Sequence, residues 1–191
     1  VLPDLAAFRM FAVYLKRLGF REIRRAEFRS DLERLGLKSP RPSGGRETGF
    51  SYFANGLTVV VWTTFLDAEG RARDEDAGWV LIKEGDRPRY FSHPLRRTQG
   101  FLRRLFKYAR ACRNRVLNRP LCPVCKNYMC IERGKKAIGQ RFWVCSDFGK
   151  KLHRGPQFAP WDHGLTEEDK KFLKGERRRR NRYYKERREQ G

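Results

Sequence analysis

The sequence predicts an α+β fold: an antiparallel β-meander packed with helices, then a small cysteine-bearing ribbon, then a basic C-terminal helical arm. Three observations carry this. Apolar residues recur at helical spacing over 5–18 and again over 98–117. Short β-branched and aromatic runs alternate with turn residues over 50–91. Cys122 and Cys125 form a close pair, with Cys145 and His153 further along the chain.

In the first helix, Leu5, Phe8, Phe11, Ala12, Leu15 and Leu18 form one stripe, and Gly19 is a stop signal. A short extended piece is expected at 20–23 and a second helix at 29–35, ending at Gly36. The Ser, Pro and Gly of 39–46 make a loop. That loop lacks the Lys-Ser/Thr ending of a P-loop, so it gives no indication of nucleotide binding. Asn55-Gly56, between two apolar runs over 50–62, is a type I′ hairpin signal, because both residues tolerate positive φ. A polar connection at 67–76 leads to a third strand at 78–82. A turn at Gly85-Asp86 leads to a fourth at 89–91. In the helix over 98–117, Phe101, Leu102, Leu105, Phe106, Ala109, Cys112 and Val116 form the apolar side. Arg103, Arg104, Lys107, Arg110, Arg113 and Arg115 make the rest cationic, either as a solvated face or as a phosphate-contacting one.

Pro120 divides an α+β body, 1–119, from a ribbon, 120–160. The ribbon has a Cys122-Pro123-Val124-Cys125 knuckle, then apolar stretches around Met129 to Ile131 and Phe142 to Val144, joined by a Gly-punctuated basic link. A knuckle, a hairpin and a second ligand pair make a zinc ribbon, since Zn²⁺ prefers a tetrahedron of thiolate and imidazole. The segment 155–161 reads as an irregular connector. Over 161–191 a basic helical arm starts at Thr166, with Glu167, Glu168 and Asp169 opposing the positive end of the helix dipole.

The ribbon residues resemble the zinc finger at the C-terminus of bacterial type I DNA topoisomerases and in several other DNA-processing proteins. The matches are Cys122-Pro123-Val124-Cys125, Met129, Arg133-Gly134-Lys135-Lys136 and Phe142-Trp143-Val144-Cys145-Ser146. They span less than a fifth of the chain. Val144 stands where that family has Gly, and no cysteine follows Cys145. The resemblance therefore implies Zn²⁺ held by Cys122, Cys125, Cys145 and a fourth group. His153 is the choice, with Cys130 as the competitor that the family pattern treats as an ordinary strand residue. Cys112 is expected in the core. The odd number of cysteines and the lack of a visible secretory signal argue against a disulfide framework, and an intracellular location is expected.

The formal net charge is +22. Such an excess of cations repels itself unless a polyanion is near, and nucleic acid is that polyanion, with DNA favoured over RNA by the resemblance. No apolar run has the length of a membrane span. The expected nucleic-acid contacts are Lys135, Lys136, Arg141, Trp143, Lys150, Lys151 and Arg154 in the ribbon, and Arg177, Arg178, Arg179, Arg180, Arg182, Tyr183 and Lys185 in the arm. Phe142 and Trp143 are candidates to stack on an unpaired base.

Two other readings remain. A metal-dependent nuclease would draw on acids of the body: Glu47, Asp67, Asp74, Glu75, Asp76, Glu84 or Asp86. However, Leu81 stands where an acid-x-Lys83 pattern needs a carboxylate, and His93 has no nucleophile motif beside it. The other reading is a structural subunit of a larger nucleoprotein complex, with a basic arm threaded through nucleic acid.

Overall fold

The computed structural model describes residues 5–24, 30, 33, 47–64, 78–92, 95, 100–134, 141–145, 147, 153 and 155–189. The expected helix at 29–35, the loop at 39–46 and the connection at 67–76 fall largely or wholly outside them. The protein is a mixed helix-and-sheet structure. Its elements run α1 (Leu5–Arg17), β1 (Arg21–Ile23), β2 (Glu47–Ala54), β3 (Leu57–Thr64), β4 (Gly78–Glu84), β5 (Arg87–Phe91), α2 (Phe101–Leu117), β6 (Met129–Arg133), β7 (Arg141–Cys145), β8 (Phe158–Pro160) and α3 (Glu167–Glu189).

β1 to β5 form one antiparallel sheet in sequence order. Its central hairpin closes through Asn55 and Gly56, at φ 49° and 76°, the left-handed geometry that a type I′ turn demands. Along β3 the side chains alternate between two apolar layers. Val59 and Val61 join Phe11, Leu15, Leu105 and Val116 on the helix side, while Val60 and Trp62 meet Leu81 on the other. The indoles of Trp62 and Trp79 stack there at 4.0 Å. α2 crosses the sheet over Gly78, where a Cβ would lie 2.9 Å from the Phe101 ring. Only glycine permits that approach. α2 begins at Phe101, after Gly100, and the expected start at Thr98 lies outside the described residues.

The cationic side of α2 is neither a solvated face nor a phosphate surface along most of its length. Arg104 grips Glu176 of α3 at 2.6 Å, and Arg110 reaches Asp169 at 2.9 Å and Glu168 at 3.1 Å. Arg113 donates from Nε to the Leu18 carbonyl (2.7 Å) and lies over the Tyr52 ring. Arg115 is buried, donates to the Trp161 carbonyl (3.0 Å) and stacks on that indole. α3 thus docks its first half on α2, helped by the Tyr108–Phe172 edge contact. Thr166 caps α3 as expected: its Oγ1 accepts from the Asp169 N–H at 3.1 Å. Asp169 does more than oppose the helix dipole. It is fully buried and accepts from Asn114 Nδ2 (2.8 Å) as well as Arg110.

β6, β7 and β8 form a second antiparallel sheet in that order. The segment expected to be an irregular connector supplies β8, which pairs with β7 and carries Pro160 on an edge, where a missing N–H costs nothing. The inward residues Met129, Ile131, Trp143 and Cys145 continue the core of the larger sheet without a break.

Arg119 fixes the junction. Its Nε donates to the Met129 carbonyl (2.7 Å), its Nη1 to the Asn55 carbonyl (2.8 Å) and its Nη2 to Glu84 Oε1 (2.9 Å). Its plane lies over the Tyr128 ring, whose hydroxyl donates to Asn55 Oδ1 (2.9 Å). Asn55 Nδ2 in turn donates to the last-turn carbonyls of α2, Val116 (3.0 Å) and Leu117 (2.7 Å), which lack partners within the helix.

Arg119→Met should lower the unfolding free energy by about 2–4 kcal/mol, because two carbonyls lose a donor and the half-buried Glu84 carboxylate keeps only Arg89. Arg119→Lys should recover less than half of that, since an ammonium lacks the fork. Urea titration of the three proteins checks this, and equal midpoints would refute it. A second outcome concerns pH. Burial raises the Asp169 pKa, but the hydrogen bonds from Asn114, Thr166 and Arg110 outweigh it and hold the carboxyl below its ordinary value. Its stabilising contribution is therefore present above the unfolded value of about 3.9 and is lost as pH falls through the lower folded value. Asp169→Asn should flatten that part of the acid-unfolding curve.

Candidate metal centre

The knuckle is built by its backbone. Leu121 bridges to Tyr128, the Cys122 N–H bonds to the Asn127 carbonyl (2.8 Å), and Lys126 N–H returns to the Cys122 carbonyl (2.9 Å). Lys126 takes φ 61°, which closes the turn and aims both cysteine sulfurs the same way. β7 brings Cys145 to them from the opposite strand, opposite Met129. His153 completes the group.

Among the described residues, Cys122, Cys125, Cys145 and His153 are the one set of three or more such side chains able to hold a metal ion. Their ligand atoms all lie within 4.8 Å of one another. Cys125 Sγ is 3.5 Å from Cys145 Sγ, and His153 Nε2 is 3.5 Å from Cys145 Sγ and 3.8 Å from Cys122 Sγ. Zinc at about 2.3 Å from sulfur and about 2.0–2.1 Å from nitrogen, in a tetrahedron, places sulfurs about 3.8 Å apart and S···N pairs about 3.6 Å apart. The spacing fits that polyhedron and is far too long for a disulfide, and all the cysteines are free. Cys130 does not take part. β-strand alternation turns it away from Met129 and Ile131, and it is half-buried on the outer side of the ribbon, with Arg119 Nη2 3.9 Å from its sulfur. Cys112 is buried in the body core, as expected, and burial pushes its thiol up to about 11.

The surroundings favour the thiolate at Cys122 and disfavour it at Cys145. Burial pushes the Cys122 thiol up, but the N–H groups of Cys125 and Val124 aimed at its sulfur outweigh that and bring it below its ordinary value. Asp147 N–H points at Cys145 Sγ (3.4 Å), yet burial and the neighbouring cysteines push that thiol up to about 11. A divalent cation draws the protons off all three sulfurs, so its affinity falls in acid. His153 turns Nε2 toward the sulfurs, and its Nδ1 is buried with no hydrogen-bond partner among the described residues; a metal on Nε2 would place the ring proton on Nδ1.

The other candidate residues divide clearly. Trp143 is fully buried against Trp161 (5.5 Å between rings), so it is core beside the cysteines and not a stacking surface. Arg141 lies with its guanidinium 4.8 Å over the Tyr90 ring, and burial lowers its pKa: it packs the ribbon on the body. Lys135, Lys136, Lys150, Lys151 and Arg154 lie outside the described residues. Arg177, Arg178, Arg182 and Lys185 are exposed along the second half of α3. Arg179 is exposed too and reaches back to Glu176 (3.4 Å). Arg180 and Tyr183 are half-buried. An exposed aromatic of the ribbon that the sequence does not single out is Phe158, 59 % exposed, its ring against that of Phe142 at 5.4 Å on the outer face. The Phe-x-Pro alternation of an edge strand was the available signal. Of the acids proposed for a nuclease, Glu84 is held by Arg89 (2.7 Å) and Arg119 (2.9 Å), and these guanidiniums outweigh burial to lower its pKa. Asp67, Asp74, Glu75 and Asp76 lie outside the described residues.

The chain matches no protein-family model, no curated protein and no solved structure. No helix among the described residues is long and apolar enough to cross a membrane.

Purified protein should carry one equivalent of metal, and Cys125→Ser should lose it. Because Cys122, Met129, Trp143 and Cys145 belong to the same core as the body, that loss should lower the melting temperature of the whole protein, not of the ribbon alone. Cys130→Ser should keep both its metal and its melting temperature. Metal analysis with calorimetry on both variants decides this, and retention of metal by Cys125→Ser would refute the ligand set.

Proposed function

We propose that the protein binds nucleic acid, DNA in preference to RNA, through a zinc ribbon and a basic helical arm, with the body as scaffold. The observation that carries this reading is the way the cations are sorted. Most of those of α2 and the junction, Arg103 apart, are taken up by internal partners: Arg104, Arg110, Arg113, Arg115 and Arg119 all bond within the chain. Most of those of the second half of α3 are left exposed, with Arg180 half-buried and, among the described residues, only within-helix ion pairs such as Lys185 with Glu189. A row of exposed Arg and Lys beyond the packed half of a helix suits phosphate contact, which releases counterions and positions a protein without reading bases. The resemblance of the ribbon to the topoisomerase-type zinc finger supports DNA as the favoured polymer. Zn²⁺ is the metal that a three-cysteine, one-histidine tetrahedron suits best, and Cys122, Cys125, Cys145 and His153 would hold it. Its part is to fix the ribbon, which then offers Phe158 and Phe142 as a stacking platform for an unpaired base. That role passes from Trp143 to Phe158, on the opposite face of the same small sheet.

The test replaces Arg177, Arg178, Arg182 and Lys185 by Gln. Cutting the chain before Glu176 would be a poorer test, because it would also strip Arg104 of its carboxylate. Affinity for duplex oligonucleotides of several sequences should fall by a similar factor for all of them. The slope of log affinity against log salt should flatten by up to about 0.9 for each phosphate that the variant no longer neutralises. Metal content should stay the same. Unchanged affinity would overturn the role of the arm, and a changed rank order among sequences would show that it reads bases.

A further inference from the structure

α1 and α2 lie side by side, joined by the Tyr14 and Phe106 rings (5.9 Å) and by Arg113 at the Leu18 carbonyl (2.7 Å). Between them, on the side away from the sheet, runs a groove of about 410 Å³. Its floor and walls are almost wholly apolar: Ala7, Met10 and Tyr14 from α1, and Leu102 and Phe106 from α2. Met10 is 55 % exposed and Tyr14 44 % exposed. Phe11 and Leu15 of α1 are buried against the sheet, so the helix carries a second apolar face that no described residue covers. Ala7 to Tyr14 spans about two helical turns, roughly 10 Å, the length over which a docked helix places anchors at i, i+3 or i+4, and i+7.

The rim is cationic. Arg103 lines one end and is exposed. Arg17 sits over the Tyr14 ring at the other. Neither makes an ion pair among the described residues. Lys107 and Arg110 also line the groove and already engage Glu168, itself largely exposed. An apolar trough between positive edges matches an amphipathic helix whose flanks are acidic. It matches nucleic acid poorly, because phosphates would leave the trough uncovered. It also matches a flat bilayer poorly, because the surface is concave. A second copy of this chain would bring cations to cations, given a formal charge of +22.

We propose that the α1–α2 groove is a docking site for an acidic amphipathic helix of a partner protein. The site is separate from the metal centre and from the exposed half of α3, so it stands independently of the nucleic-acid reading. The probe is a fluorescein-labelled synthetic helix of about five turns with Leu at i, i+3, i+4 and i+7 and Glu on both flanks. Its control has the same residues scrambled to break the stripe.

Anisotropy titration of the full-length protein should show saturable binding of the first peptide and at least ten-fold weaker binding of the control. Met10→Glu, at an exposed position, should weaken the first peptide at least ten-fold while metal content and melting temperature hold. Arg103→Glu should do so by a smaller factor, with an effect that shrinks as salt rises. No binding of the striped peptide, equal binding of both peptides, or indifference to Met10→Glu would each overturn the proposal. So would a dimer of the native chain that Met10→Glu dissolves, which would assign the face to a second copy. Binding to phosphatidylserine vesicles abolished by Met10→Glu would likewise overturn it in favour of a lipid surface.

Discussion

The guanidinium of Arg119 is the contact on which the arrangement of the two sheets depends. A buried cation must be surrounded by acceptors, because desolvation of an unpaired charge costs several kcal/mol. Arg119 finds them on three separate pieces of chain: the β2–β3 turn, the end of β4 and the start of β6. Each acceptor is useful only when the other two are in place, so the contact selects one docking of ribbon on body. Asn55 extends the same network to the C-terminal carbonyls of α2. A single hairpin residue therefore serves as turn former, helix cap and part of the seat for the ribbon. The metal group sits one layer out from this junction, on a knuckle whose first cysteine is already in the common core. A metal held there would be coupled to the packing of the body through that shared apolar layer.

Electrostatics within the chain follow from which cations find acids. Lys and Arg exceed Asp and Glu by twenty-two, so many cations have no acid to pair with. Carbonyls and aromatic faces take some of the surplus, as at Arg113, Arg115 and Arg141. Those choices use the planar guanidinium, which stacks and forks in ways an ammonium cannot. Among the described residues, a run of exposed Arg and Lys remains beyond the docked half of α3. The groove beside α1 shows the complementary imbalance, apolar surface that no described residue covers.

Much of the fold was legible in the sequence because its signals are local. Asn55-Gly56 dictates a turn type, the stripes of α1 and α2 dictate buried faces, and Cys-Pro-Val-Cys dictates a knuckle. The failures are non-local. Whether Trp143 or its neighbour faces inward depends on strand register, and a shift of one residue exchanges the two faces. Pairing with Ile131 settles it, and no residue near Trp143 reports that. The cations of α2 looked like an open surface because their carboxylates lie on a helix encoded far downstream. Arg119 carries no signal at all beyond standing before Pro120, since its acceptors are mostly backbone carbonyls. His153 could be placed only by distance from Cys145, and Cys130 could be set aside only by analogy with a strand position, which alternation in β6 then supports.

The separation between α2 and its acids has a consequence for synthesis of the chain. Arg104 meets Glu176 across 72 residues and Arg110 meets Asp169 across 59. A polypeptide made from its N-terminus can lay down the five-stranded sheet and α2 well before either acid has left the ribosome. During that interval the growing chain displays a helix with one oily side and one unneutralised basic side, next to a particle made largely of RNA. Release of that helix from any such adhesion waits for α3 to arrive and supply the missing carboxylates. The helix that neutralises part of the charge of the body is thus made after the body itself, while its own second half stays largely exposed.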